Sequence, residues 1–131
     1  MNKPSIQLIE LAVRIQSLGN SEATSRAVAS RAYYAIFHAM SEFHQSLPIR
    51  GDGHGASGCH HQLISRLAFP SPDATDADRV TSIALSKTLR YAYDMKIAAD
   101  YCLDERFPIW EVPAMLSTCL NAVEVVYPMI L

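Results

Sequence analysis

Arg31, Tyr34 and His38 stand at positions i, i+3 and i+7 of one apolar-periodic segment. These residue types can do phosphate chemistry. An arginine fork stabilises charge on a phosphoryl group, and a histidine takes or gives a proton near neutral pH. On a helix, Arg31 and His38 project about 20° apart and lie about 10 Å apart along the axis. Tyr34 and Glu42 flank them on the same face. The pair reaches one phosphodiester only by leaning together or with a second subunit completing the site. As a catalytic pair, His38 would be the general acid or base at a ribose 2′-hydroxyl and Arg31 would stabilise the developing charge. That chemistry calls for no metal and no cofactor. The structural alternative is that Asp94 or Asp100 pairs with Arg31, and the three side chains simply hold neighbouring helices in register.

The segment that carries these residues is predicted as a long helix from about Ser21 to Ser46, stopped by Pro48. Val28, Ala32, Ala35, Ile36, Ala39, Met40, Phe43 and Leu47 form its apolar stripe, with Tyr33 and Phe37 further round. A helix apolar over so much of its circumference belongs at the centre of a bundle. A first helix is expected over Ser5 to Leu18, entered at Pro4 and left at Gly19-Asn20. A short helix over Cys59 to Ala68 turns Leu63, Ile64 and Leu67 inward. A fourth starts at Thr75 or Asp76, with acids in its first turn, and runs to Cys102 on a stripe of Leu85, Leu89, Ala92, Met95 and Ala99. A fifth starts near Pro113, presents Leu116, Cys119, Leu120, Val123 and Tyr127, and ends at Pro128. No segment keeps a period of two, so no sheet is expected. The fold class is all-α: an up-and-down bundle of four main helices plus a short one, in a single domain over residues 1–131.

Half of the 131 residues are hydrophobic, 18% are charged, and the formal net charge is −2. Such a chain does not hold duplex DNA through a bulk basic field, so nucleic-acid contact is left to a local site. The low charge fraction points to apolar surface covered by a partner, most simply a second copy in a homodimer. The apolar runs read as too broken by polar groups to cross a membrane, and no signal-peptide core is seen. Three widely spaced cysteines without a CxxC pair suit a reduced cytoplasm.

The stretch Ser30-Arg31-Ala32-Tyr33-Tyr34-Ala35-Ile36-Phe37-His38-Ala39 resembles the signature helix of the HEPN family (higher eukaryotes and prokaryotes nucleotide-binding), which carries an Arg-x-Tyr-Tyr-Ala-x-Phe-His pattern. His60-His61 before Leu63-Ile64 is similar to the family's histidine at the start of a short helix. Ala99-Asp100-Tyr101 is similar to its Ala-Asp-Tyr segment, and the apolar run from Ala122 to Val126 to its last helix. The resemblance spans roughly residues 20 to 127. It implies a HEPN-like bundle that binds a nucleotide, an RNA or a nucleotidyltransferase-type partner in a toxin–antitoxin or defence setting. Together with Glu42, which shares the helical face, it points to a binding surface of Tyr34, His61, Lys96, Asp100 and Tyr101 around Arg31 and His38. Two departures stand out. Lys96 replaces the family's arginine, exchanging a planar fork for a point charge. Ala32 stands where ribonuclease members carry a polar residue after the arginine.

Three functions therefore stay open: a non-catalytic HEPN-like binding module, a metal-independent endoribonuclease of the HEPN type, and a purely structural helical interaction protein. His54, Cys59, His60 and His61 fall close together, but their spacing matches no standard metal site. The alternative there is a polar loop with one capping histidine. The glycine-rich stretch from Gly51 to Gly58 follows a helix rather than a strand and is expected to be a mobile loop. Arg90 and Asp94 read as a surface ion pair, and Cys102 and Cys119 as core residues.

Overall fold

The computed structural model describes residues 3–53 and 55–130, the last two by their backbone alone. Five helices account for the described chain: α1 (Pro4–Gln16), α2 (Glu22–Ser46), α3 (Cys59–Ala68), α4 (Asp76–Tyr101) and α5 (Val112–Ile130), with one 3-10 turn at Ile109–Glu111 before α5. Among the described residues there is no strand. The all-α bundle of four main helices and a short one is what the sequence predicts.

Each helix begins where its local chemistry allows. Pro4 occupies the first position of α1, where its missing N–H is no loss. The Ser21 hydroxyl accepts the Thr24 N–H at 3.1 Å, and the Thr75 hydroxyl accepts the Asp78 N–H at 3.2 Å, capping α2 and α4. Asp76 and Asp78 lie in the first turn of α4, where the helix dipole favours negative charge. Leu47 turns extended ahead of Pro48 and closes α2.

α2 lies at the centre, against α1, α4 and α5, while α3 packs chiefly on α4. Its entire predicted stripe from Val28 to Leu47 is buried. Alanines at 29, 32, 35 and 39 let neighbouring helices come close, and Tyr33, Ile36 and Met40 fill the space between. Burying a side chain such as Ile36 stabilises the fold by about 1.5–3 kcal/mol.

Four expectations are corrected. Leu18, the expected last residue of the first helix, lies beyond the end of α1 at Gln16 and is exposed. Pro128 does not end α5. It sits in the last turn, where its ring accepts the helical backbone and the single hydrogen bond it omits belongs to Glu124 on the exposed face. Cys119 is in the core, but Cys102 is only half-buried at the C-cap of α4. The segment Ile109–Pro128 is long and apolar enough to cross a membrane by length and composition. Here Val112, Met115, Cys119, Val123 and Val126 are buried in the bundle core instead.

Candidate functional site

The middle of α2 divides its polar side chains among three surroundings. Arg31 and His38 are both exposed, and neither forms an ion pair or a hydrogen bond among the described residues. The His38 ring lies edge to face with that of its neighbour Phe37, centres 5.7 Å apart. The two carboxylates that the sequence offers to Arg31 are engaged elsewhere. Asp94 pairs with Arg90 at 3.6 Å on the surface, as expected, and Asp100 pairs with Lys96 at 3.6 Å.

Tyr34 and Glu42, which share the helical face of Arg31 and His38 in projection, lean away from them. Glu42 turns toward α1 and approaches Lys3 at 3.7 Å. Near it the Tyr127 hydroxyl is pushed up to about 12, first by burial and then by the Glu42 charge. Tyr34 turns toward α4 and lies beside Lys96.

Lys96 is 3% exposed. Its Nζ lies 5.4 Å from the Tyr34 ring centre and 4.7 Å from that of Tyr101. Two aromatic faces and one carboxylate thus surround the ammonium, each of them attracting a cation. Burial opposes its charge, but the Tyr34 and Tyr101 phenols outweigh burial and raise its pKa above the ordinary lysine value. Asp100 also accepts the Ser30 hydroxyl at 3.1 Å. Lys96 and Asp100 are therefore joined to α2 through Ser30 and Tyr34. Among the residues of the predicted binding surface, they are the ones already satisfied from inside.

Between α2, α3 and α4 lies a continuous group of seven rings: Tyr33, Tyr34, Phe37, His38, His60, His61 and Tyr93. Their centres are linked by separations of 4.9 to 6.0 Å. Tyr33 lies at the bottom, fully buried, and burial drives its phenol well above the usual range. The phenol stays protonated and shares a hydrogen bond with His60 Nδ1. His60 is held below its ordinary pKa by burial, then by Lys96 and His61. His60 is thus a partner of Tyr33 rather than a cap, since the N-cap of α3 is Gly58 without a side-chain bond. His38 and His61 are exposed at the outer edge, with Phe37, His60 and Tyr93 half-buried between them. His54, the fourth member of the local His/Cys group, lies outside the described residues. Among the described residues, no three His, Cys, Asp or Glu side chains are placed to hold a metal ion.

Two features went unread in the sequence. The arginine that holds helices together is Arg26. It donates to the carbonyls of Ala98 at 2.8 Å, Ala99 at 3.0 Å, Cys102 at 3.2 Å and Glu105 at 2.7 Å. Glu22, one turn earlier, orients it at 2.8 Å and also accepts the Phe107 N–H at 3.3 Å. These bonds hold the Glu22 carboxyl below its ordinary pKa, Arg26 first and Phe107 second. No basic residue stands in the last turn of α4, and Arg26 supplies the positive charge that a helix C-terminus favours. The signal was Glu22 four residues before Arg26, a favourable helical order. The second is a set of cations, Arg50 and Arg66, around a cleft between α2 and α3.

No profile of a known protein family, no curated protein and no solved structure matches this chain. Chemically, the α2–α3–α4 face offers ring surfaces at its rim for stacking and one uncommitted guanidinium beside them.

Proposed function

We propose that the chain is a non-catalytic binding module that takes single-stranded RNA, or a nucleotide, on the α2–α3–α4 face. The observation that carries this reading is a rim of two exposed imidazoles, His38 and His61, backed by the half-buried rings of Phe37 and Tyr93, with an unpaired Arg31 on the same helix as His38. Unstacked bases lie on such rings, and each stacked base contributes about 1–3 kcal/mol. Arg31 then meets a backbone phosphate through its fork. A face of this kind binds RNA without an overall basic charge, in keeping with the net charge of −2. The resemblance to the HEPN signature helix supports the same ligand class, a toxin–antitoxin or defence setting, and a homodimer or a nucleotidyltransferase-type partner.

Binding is favoured over cleavage by the environment of Ala32. This position, polar in the ribonuclease pattern, is completely buried in the core and cannot touch a substrate held by Arg31 and His38. The test is to incubate the purified protein with a labelled single-stranded RNA, measuring retention and strand integrity together. Wild type is expected to retain the RNA intact, and the doubled Arg31→Ala, His38→Ala variant to release it. Cleavage by wild type that is lost in His38→Ala would establish the metal-independent ribonuclease reading instead. No retention and no cleavage would leave a helical interaction protein.

A further inference from the structure

We propose that the cleft between the C-terminal half of α2 and α3 is a second ligand site, which takes the phosphate group of a small phosphorylated molecule. The cleft has a volume of about 310 Å³, and its walls include Phe37, Ser41, His44, Arg50, Gln62 and Arg66. That volume is at the lower end of the range for small-molecule sites.

The charge pattern carries the argument. Lys3, Arg26, Arg79, Arg90 and Lys96 each have a carboxylate within 4.0 Å. Arg50 and Arg66, like Arg14, Arg31, Lys87 and Arg106, have none among the described residues, and what sets these two apart is that both border the same space. Two guanidiniums bordering one cleft with no carboxylate in ion-pair contact repel each other, and an anion bound there relieves that repulsion. Asp52 borders the adjoining outer space with them, so the surroundings hold two cations to one carboxylate. His44 adds no charge. Burial first, and then the fields of Arg66 and Arg50, push its pKa down despite its bond to Gly51.

The cleft is also held in shape. His44 is buried, and its Nε2–H donates to the Gly51 carbonyl at 3.1 Å. Gly51 presses so closely on the turn after α3 that a Cβ there would meet the Phe69 carbonyl oxygen at 2.3 Å and the Pro70 Cα at 2.9 Å. Gly53, at φ +75°, comes within similar range of the Ser65 hydroxyl and the Arg66 amide. The segment expected to be a mobile loop is therefore seated against α3 at these two glycines. Arg50 leaves from its fixed end, directly before Gly51.

The donor set selects the ligand. Each guanidinium presents two parallel N–H groups, and two such forks match the oxygens of a phosphate dianion. A carboxylate offers two oxygens and one negative charge to the two forks, against three terminal oxygens and up to two charges on a phosphate monoester. The Gln62 amide and Ser41 hydroxyl supply neutral donors, and Phe37 gives an apolar wall for the rest of the molecule. This site shares Phe37 with the α2–α3–α4 face, but its charged groups, Arg50 and Arg66, are separate from Arg31, so either reading stands if the other fails.

The experiment is an amide-resolved NMR titration of the full chain with inorganic phosphate at constant ionic strength, with acetate as the carboxylate control. Saturable shifts are expected at residues 41–44, 50–53 and 62–66, stronger with phosphate than with acetate. A doubled Arg50→Gln, Arg66→Gln variant is expected to lose affinity by about tenfold or more, and the doubled lysine variant to fall between. Both arginines are exposed, and a thermal melt checks that the variants fold. Lys87→Gln, which removes an exposed charge on α4, is expected to bind phosphate as wild type does. Shifts that never saturate, equal shifts with acetate, or undiminished binding by the doubled glutamine variant would overturn the proposal. Because the probe is phosphate alone, failure here and failure of RNA binding at Arg31 are read separately.

Discussion

Arg26 and Arg31 stand five positions apart on the same helix and do opposite things. Arg26 is 11% exposed in its side chain and is held by four backbone carbonyls and Glu22, which join the start of α2 to the end of α4. Arg31 is exposed and bonded to nothing among the described residues. Five helical positions rotate a side chain by about 140°, enough to move it from the α4 contact to solvent. The difference teaches where structure ends and function can begin on α2. A guanidinium committed to carbonyls cannot meet a ligand without unmaking the fold, whereas an uncommitted one can.

The contrast is broken most severely at Arg26. Arg26→Ala leaves four carbonyls and the Glu22 carboxylate without their donor, and is expected to destabilise the fold by about 2–4 kcal/mol in chemical denaturation. A loss under 1 kcal/mol would mean that these bonds exchange freely for water. Lys96→Met comes next. It leaves Asp100 with Ser30 alone, but that carboxylate is partly exposed, so a cost of about 1–3 kcal/mol is expected. RNA binding at equal folded fraction is expected to persist in this variant, since Lys96 is satisfied from inside.

Acid separates the regions by pH. His44 and His60 have folded pKa values below the unfolded 6.5, so the unfolded chain takes up protons first as pH falls. Stability is therefore expected to be level above about pH 6.5 and to fall below it, with the fall reduced in a doubled His44→Asn, His60→Asn variant. Urea denaturation at a series of pH values gives both slopes. The Glu22 carboxyl, held below 4.5 in the folded state, adds its own loss only as pH drops through the lower carboxylate range. The smallest effect on stability is expected at Arg31→Ala, within about 0.5 kcal/mol of wild type.

Much of the fold was legible because it rests on period and punctuation. The α2 stripe from Val28 to Leu47 and the limits of α3 follow from apolar spacing, Pro48 and Pro70. What was hidden depends on pairing across long sequence separations. Arg26 meets Ala98 and Cys102 only once α2 and α4 are packed, and the one local cue that separates it from Arg31 is Glu22 four residues before it. The same holds for Ser30 with Asp100 and for Tyr33 with His60. Arg50 and Arg66 were passed over because they flank a glycine-rich stretch that read as mobile, and the close approach of Gly51 to Phe69 is not visible in a sequence. Of the predicted surface, Arg31, His38 and His61 are presented to solvent and Tyr101 is largely exposed, while Lys96, Asp100 and Tyr34 are drawn into an internal network.

The central claim, that Arg26 holds the fold and Arg31 holds the ligand, is tested most directly by fluorescence anisotropy of a short single-stranded RNA against wild type and Arg31→Gln at one fixed salt concentration. The expected result is saturable binding by wild type and a loss of about tenfold or more in Arg31→Gln, with an unchanged melting temperature. Equal binding by the two proteins, or a substantial drop in melting temperature for Arg31→Gln, would contradict it.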